Sequence, residues 1–157
     1  MENQLKKLNL GCGNDYKPGW INVDKGSCKR DVAWDIEVFP WPFEDSSVEI
    51  VLLKHMLEHI SPTNFIPFLN ELYRVCKSGA QIEIEAPHAG SNNYWTDPTH
   101  KMPLTVRTFD FFDSSKPLYE NGLIYGWNNI KFSVVRAEVV DNPPNGPDVY
   151  YLLKVVK

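Results

Sequence analysis

Several residues that can bind a nucleotide-like ligand follow short apolar stretches early in the chain. Gly11 and Gly13 follow the first stretch, Asp24 ends the second, and Asp35 follows the third. Glycine lets a backbone approach a ligand closely, because it has no Cβ and tolerates positive φ. A carboxylate at a strand end can accept hydrogen bonds from ribose hydroxyls or an adenine amine. A tight turn and solvated strand ends are the alternative for each feature alone, but their order along the chain favours a ligand crevice.

A second group, suited to acid–base chemistry, lies in the segment 87–104. His88, Asp97 and His100 occur there among polar and aromatic residues. Histidine is the side chain whose pKa best suits a general base near neutral pH. The alternatives are a surface loop stabilised by hydrogen bonds and, on weaker grounds, a metal held by these three side chains. Because spacing alone does not show that they converge, we expect no metal site.

The sequence also contains an H-x-x-E-H pattern at residues 55–59, which is the signature of inverted zinc proteases. Histidines four residues apart share one face of a helix and can bind one metal. The pattern directly follows an apolar strand, however, and Ser61 and Pro62 leave room for one helical turn. We therefore set zinc proteolysis aside.

Apolar periodicity predicts the elements that must position these residues. A near-continuous apolar run is typical of a strand buried on both faces of a parallel sheet, and three- and four-residue spacings are typical of a helix. The last two strands flank a short, turn-rich link and are expected to pair antiparallel. This order predicts an α/β fold in which the segment 87–130 is mostly loop. The predicted strands are 7–10, 21–24, 31–35, 48–53, 80–86, 132–140 and 149–156, and the predicted helices are 65–76 and 105–112.

Composition excludes several classes of protein. The 157 residues suit one domain, and a net charge of −4 argues against an extended nucleic-acid surface. The longest apolar run, residues 50–53, is too short to span a membrane, and the N-terminus lacks the apolar stretch of a secretory signal. Three cysteines without a C-x-x-C pattern disfavour a disulfide framework or a zinc knuckle. We expect a cytoplasmic protein with no membrane association.

The chain resembles the class I S-adenosylmethionine-dependent methyltransferases, and most closely the small, type-11-like branch with the pattern LNLGCG, GWINVD, PWPF and HxLEHI. The resemblance extends over roughly residues 7–112. It implies a minimal Rossmann-like methyltransferase sheet, mostly parallel, with an antiparallel C-terminal hairpin and reduced helical cover. The matching stretches are 8–14, 19–24, 35–43, 45–51, 55–60, 68–87 and 97–100, with Thr105 and Phe109 beyond them.

The resemblance also implies roles for individual residues. S-adenosyl-L-methionine would be the cofactor, with the turn of Gly11, Cys12, Gly13 and Asn14 beside its methionine half. Asp24 would hold the ribose. The remaining assignments are that Asp35 and Ile36 would flank the adenine, and that Lys54 and His55 would face the sulfonium or the acceptor.

The implied function is methyl transfer to a small-molecule or sugar-like acceptor. We expect one methyltransferase-like domain over residues 1–157, with the cofactor half at about 7–60 and the acceptor loop at about 87–130. His88 or His100 would act as the base, with Asp97 orienting one of them. A nucleobase is the alternative acceptor, and a nicotinamide dehydrogenase is disfavoured because the full G-x-G-x-x-G pattern is missing.

The chain departs from the family between the glycine turn and the second strand. Only residues 14–20 intervene where most members have a full helix, and Asn14 stands near the place of the third glycine. A helix N-terminus that would favour the cofactor carboxylate is therefore missing. A partner chain in a homo-oligomer, or an aromatic side chain such as Trp20 or Trp41, would be needed to cover the gap. The same shortening supports the rival interpretation, a non-catalytic methyltransferase-like binding or scaffolding module.

Overall fold

A computed structural model describes residues 5–157, which form one seven-stranded sheet. Its strands are β1 (Lys7–Leu10), β2 (Ile21–Asp24), β3 (Val32–Ala33), β4 (Val48–Lys54), β5 (Cys76–Pro87), β6 (Phe132–Val140) and β7 (Asp148–Val155). They lie in the order β3-β2-β1-β4-β5-β7-β6. The first five strands pair parallel and the last two pair antiparallel. The predicted mostly parallel sheet with an antiparallel C-terminal hairpin is confirmed.

Among residues 5–157 the helical elements are fewer than the strands, and one of them is longer than six residues. The helices are α1 (Phe65–Val75), α2 (Asn92–Thr96) and α3 (Tyr119–Ile124), with 3-10 turns at Leu57–His59, Pro62–Asn64 and Thr108–Phe112. The predicted helix over 105–112 is wrong in its extent and type, because only its second half forms a 3-10 turn. Helices α2 and α3 were not predicted. Helix α2 is the one of the two with a side-chain cap. Its N-cap is Ser91, whose hydroxyl accepts a hydrogen bond from Tyr94 N at 3.3 Å, a local signal that stabilises even a short helix.

The buried core lies on one face of the sheet. Alternate strand residues such as Leu10, Leu53 and Ile84 are fully buried there, and the apolar stripe of α1 packs on them. Phe109, from the third 3-10 turn, contacts Tyr151 on the same face at a ring distance of 4.8 Å. On the opposite face, alternate residues such as Leu52 are only half-buried. This partial cover is compatible with a homo-oligomer, which stays a prediction.

Two buried asparagines hold the short loop that replaces the helix after the glycine turn. Asn9 and Asn22 are neighbours in β1 and β2 and are at most 2% exposed. The Asn9 amide donates to Asp15 O at 2.7 Å and to Asn22 Oδ1 at 2.9 Å. Asn22 donates to Lys17 O at 2.9 Å and accepts from Lys17 N at 2.9 Å. The loop backbone is therefore satisfied by strand side chains, where a helix would satisfy itself.

Within residues 5–157, none of the helices has the length and apolar character needed to cross a membrane.

Candidate functional site

The carboxyl ends of three neighbouring strands bring the predicted binding residues to one edge of the sheet. Leu10 at the end of β1 lies beside Val23 in β2 and beside Leu53 in β4. The glycine turn follows β1, and Asp24 and Lys54 are the last residues of β2 and β4. This edge is where ligands bind in open parallel sheets.

Gly11 cannot be replaced by a larger residue without a shift of its neighbours. Its φ is +66°, and a Cβ built on it would lie 2.2 Å from Met56 Cγ. Its N–H donates to Val23 O at 2.8 Å, so the turn folds back onto β2. Gly13 also has positive φ, at +48°, but faces open space. The two glycines therefore keep the edge of the sheet free of side chains.

Asp24 joins the glycine turn to the loop after β2. Its Oδ2 accepts a hydrogen bond from Gly13 N at 2.9 Å, and its Oδ1 accepts one from Gly26 N at 2.6 Å. The residue is half-buried and lines the pocket described below. Because an ionised carboxylate has about four acceptor positions, it retains capacity for two ligand hydroxyls.

Asp35 also lines the pocket described below. Its Oδ1 accepts from Glu37 N at 3.0 Å, and Lys25 Nζ lies 3.2 Å from its Oδ2. Partial burial acts to raise the pKa of Asp35, but the Glu37 amide and the Lys25 ammonium outweigh it, and the pKa is lowered. The group is therefore held as a carboxylate. Its neighbours Trp34 and Ile36 add apolar surface to the pocket wall.

Together these residues enclose a pocket of about 310 Å³, within the usual range for small-ligand sites. Its carboxylates are those of Asp24, Asp35 and Glu37, and its apolar surface comes from Trp34, Ile36, Met56 and Ile60. The lining residues are Gly11, Gly13, Asp24, Lys25, Trp34, Asp35, Ile36, Glu37, His55, Met56, His59 and Ile60.

A second hollow adjoins the glycine turn and shares Gly11, Gly13 and His55 with the first. Cys12, Asn14 and Lys54 line it as well. Burial raises the pKa of the Cys12 thiol to about 11, with Cys28 adding to the effect. This thiol therefore stays protonated, which agrees with a packing role for Cys12 and not a reactive one.

His55 is held in a strained position between acidic side chains. Its φ is +49°, and its N–H donates to Glu85 O at 2.8 Å. Its Nδ1 lies 3.7 Å from Glu58 Oε1, and its Nε2 lies 3.6 Å from Asp148 Oδ2. The Glu58 carboxylate, followed by Asp148 and Glu85, raises the pKa of His55 despite its partial burial. Lys54 Nζ lies 3.5 Å from Glu85 Oε1.

His100 and Asp97 belong to a separate cluster that adjoins the pocket through His59. The rings of His59 and His100 lie 4.8 Å apart in an edge-to-face arrangement, and His100 Nε2 lies 3.7 Å from Asp97 Oδ2. His100 also stacks on Tyr94. The backbone fixes this position, because Lys101 N and Met102 N both donate to Glu58 O.

His88 lies outside both hollows. Its Nδ1 accepts a hydrogen bond from Gly90 N at 3.0 Å, and its N–H donates to Pro147 O at 3.1 Å. His100 and Asp97 therefore lie together in the structure, but His88 does not lie with them. Trp41 is 3% exposed and packs in the core against Phe68, and Trp34 is the tryptophan that lines the pocket.

The pocket also contains residues that were not singled out from the sequence. Trp34, Glu37 and Met56 line it, and each directly precedes or follows a residue that was. Glu58 and His59 belong to the protease-like pattern and to the matching stretch 55–60, but neither was predicted as a site residue. The fold separates that pattern, because His55 precedes the 3-10 turn that contains Glu58 and His59.

Comparison with known proteins agrees with this geometry. Residues 8–84 match the family model described as a methyltransferase domain, whereas no curated protein sequence matches significantly. A SAM-dependent methyltransferase from Archaeoglobus fulgidus is 19% identical with a TM-score of 0.62, over 98% of this chain and 87% of that one.

Two further structures differ in their substrates. The 1,6-didemethyltoxoflavin-N1-methyltransferase of Burkholderia thailandensis, with bound 1,6-didemethyltoxoflavin and S-adenosylhomocysteine, is 11% identical with a TM-score of 0.62, over 96% of this chain and 71% of that one. The 16S rRNA (adenine(1408)-N(1))-methyltransferase of Catenulisporales acidiphilia is 15% identical with a TM-score of 0.55, over 98% and 86%. The family match over residues 8–84, the strand order and the glycine turn are together consistent with the class I S-adenosylmethionine-dependent methyltransferase superfamily.

Proposed function

We propose that this S-adenosylmethionine-dependent methyltransferase acts on a small-molecule or sugar-like acceptor. The observation that carries the proposal is the pocket of about 310 Å³ at the carboxyl edge of the sheet. Its size suits the adenosyl half of the cofactor, and it shares Gly11, Gly13 and His55 with the second hollow. The acceptor would approach where these two spaces meet, next to His55.

In this arrangement the adenosyl half occupies the first pocket. Asp24 accepts hydrogen bonds from the ribose hydroxyls while it keeps its bonds to the Gly13 and Gly26 amides. Asp35 and Ile36, which line the same pocket, flank the adenine. These are the roles predicted for the three residues, and their common position in one pocket supports them.

The methionine half would extend into the second hollow beside Gly13 and Asn14. Because no helix follows the glycine turn, the cofactor carboxylate needs another positive group. Lys54 lines this hollow, and its ammonium is half-exposed and only loosely paired with Glu85 at 3.5 Å. We assign Lys54 as the partner of that carboxylate.

A substitution of Lys54 tests this assignment. We expect Lys54→Met to weaken S-adenosylhomocysteine binding by roughly 10-fold, the loss of about one charge-assisted hydrogen bond. Methylthioadenosine, which has no carboxylate, should bind the variant as well as it binds the wild-type protein. Lys77→Met is the control, because Lys77 is also paired with a glutamate but lines neither space. An equal loss for both ligands would contradict the assignment.

Transfer itself needs an acceptor in line with the methyl group. The acceptor oxygen or nitrogen attacks the methyl carbon, the carbon–sulfur bond breaks with its electron pair on sulfur, and the acceptor proton passes to a base. His88, His100 and Asp97 were the predicted catalytic residues. His100 and Asp97 lie beside the pocket through His59, and they are therefore better placed than His88.

The charges around the pocket support a small acceptor over a polynucleotide. The acidic residues that line the pocket are Asp24, Asp35 and Glu37, and the lysine that lines it is Lys25. The chain as a whole carries −4. A phosphate backbone would meet net repulsion there, because polynucleotide binding depends on cationic surface.

Calorimetry with S-adenosylmethionine and S-adenosylhomocysteine separates the enzyme from a non-catalytic binding module. We expect both ligands to bind one site per chain. If neither ligand binds at millimolar concentration, the enzymatic function is contradicted and the non-catalytic scaffolding module is favoured. If both bind, transfer to a panel of hydroxyl-bearing small molecules and to a short RNA then identifies the acceptor class.

A further inference from the structure

Glu58 is a buried carboxylate without a hydrogen bond. It is 1% exposed, and its Oε2 has no partner. Its Oε1 lies 3.7 Å from His55 Nδ1, 4.0 Å from His59 Nε2 and 4.0 Å from His100 Nε2. All three distances are too long for hydrogen bonds. A carboxylate buried in this way costs several kcal/mol unless a positive group compensates it.

For His59 and His100, the hydrogen bond made by Nδ1 determines which ring nitrogen carries the proton. His100 Nδ1 lies 2.7 Å from Tyr94 O, which can only accept, so this nitrogen is a donor. His59 Nδ1 lies 3.0 Å from Thr99 Oγ1. Because that hydroxyl donates its proton to Asp97 Oδ1 at 2.7 Å, His59 Nδ1 is also a donor. In the neutral rings, the Nε2 lone pairs therefore both face Glu58.

Two imidazole lone pairs and a carboxylate directed at one another repel unless a cation lies between them. Their ligand atoms all lie within 4.8 Å of one another. We propose that Glu58, His59 and His100 bind one divalent transition-metal ion, with zinc as the ion that this ligand set favours. A tetrahedral zinc with bonds of about 2.0–2.1 Å places its ligand atoms about 3.3 Å apart. A contraction of the 4.0 Å gaps by small side-chain rotations would reach that spacing.

The surroundings have the form expected of a metal centre. Metal-bound histidines usually donate their other ring N–H to a carbonyl or to a carboxylate-linked group, as His100 does to Tyr94 O and His59 does to Thr99. Three protein ligands leave one position of a tetrahedral ion for water or an acceptor oxygen, and His59 also lines the cofactor pocket. The proposal makes His100 a ligand, in place of the base considered above.

A second group, formed by His55, Glu85 and Asp148, is a weaker candidate although its atoms are equally close. Glu85 is already paired with Lys54, and Asp148 Oδ2 accepts a hydrogen bond from Asn142 at 2.6 Å. Asp148 Oδ1 is unpartnered, as Glu58 Oε2 is, but this group offers one imidazole and two carboxylates, whereas the Glu58 group offers two imidazoles and one carboxylate. Two histidines and one glutamate form a known ligand set of catalytic zinc, and we therefore assign the ion to the Glu58 group.

Direct zinc titration of the purified, chelator-treated protein tests the site without any cofactor or acceptor. We expect the wild-type protein to bind one equivalent of Zn²⁺, and Co²⁺ in its place to give the visible absorption of a tetrahedral ion. Glu58→Gln, His59→Ala and His100→Ala should each weaken zinc binding by roughly 100-fold or more, and Thr99→Val by roughly 10–100-fold. His88→Ala is the matched control and should bind as the wild type does.

Thermal melting and S-adenosylhomocysteine binding of each variant show whether it is folded. Because zinc is measured alone, the result is independent of whether the protein transfers methyl groups. The proposal is overturned if the folded wild-type protein binds no Zn²⁺, if His88→Ala weakens binding as much as His59→Ala does, or if His55→Ala abolishes binding while His59→Ala retains it. The last outcome would move the ion to the group with Glu85 and Asp148.

Discussion

Replacement of Asp24 by alanine separates its two functions in the cofactor pocket. The carboxylate holds the turn through Gly13 N and Gly26 N, and in the proposed complex it also accepts two ribose hydroxyls. Hydrogen bonds to a charged acceptor contribute about 1.5–3 kcal/mol each. At the low end of that range, two lost ribose bonds amount to about 3 kcal/mol, or roughly a 150-fold rise in the Kd for S-adenosylhomocysteine.

The same substitution also removes the two bonds within the turn. Because the group is half-exposed, we expect this loss to cost about 1–2 kcal/mol, which corresponds to a fall in Tm of roughly 2–8 °C for a chain of this size. Calorimetry measures the affinity, and thermal unfolding without ligand measures the stability.

Asp31→Ala is the matched control for a loosened loop. Asp31 accepts hydrogen bonds from Asn22 N at 2.8 Å and from Tyr16 OH at 3.0 Å, and it does not line the pocket. We expect this variant to lose a similar amount of stability and to keep its cofactor affinity. If Asp31→Ala loses as much affinity as Asp24→Ala, or if Asp24→Ala binds normally, the ribose role of Asp24 is refuted.

Two further predictions concern residues that line the same pocket, Gly11 and His55. Gly11→Ala should cost about 1–3 kcal/mol of stability from its positive φ alone, and contact with Met56 should add to this loss. Gly19→Ala is the control, because Gly19 has a φ of +78° in open space and should show only the first cost. Equal melting temperatures of the two variants would contradict the role of Met56. The raised pKa of His55 should stabilise the folded state fully below about pH 6.5 and progressively less as pH rises through the folded-state pKa. The free energy of unfolding of wild type minus that of His55→Gln, measured on chelator-treated protein from pH 5.5 to 8.5, should therefore decrease with pH, and a constant or rising difference would refute the assignment.

The sheet was predictable because its strands are marked in the sequence by apolar patterns. Six of the seven expected strands were placed within about two residues, and the helix α1 followed from its apolar stripe. Strand β5 starts earlier than expected, at Cys76 directly after α1, because Cys76 pairs with Val48 in β4. Such a pairing depends on a partner 28 residues away and leaves no mark in local periodicity.

The candidate site was predictable only in part, for a related reason. Asp24 and Asp35 follow strands, and strand ends of a parallel sheet meet at one edge. Glu58 and His100 are brought together instead by Lys101 and Met102, whose amides bind the Glu58 carbonyl from a loop more than 40 residues away. A buried carboxylate and its long-range partners cannot be recognised from spacing within one segment.

The loop that follows the glycine turn shows how the turn is held in place without the helix that most family members have there. A seven-residue segment without helical hydrogen bonds would ordinarily leave the turn poorly held. Here Asn9 and Asn22 stand at apolar positions of two central strands and bind its backbone at Asp15 and Lys17. A polar side chain in a buried strand is costly unless every group is satisfied, so these asparagines are explained by the loop that they hold. The glycine turn is thus anchored by the sheet itself, and what the lost helix leaves unfilled is its positive end, which is the function assigned to Lys54.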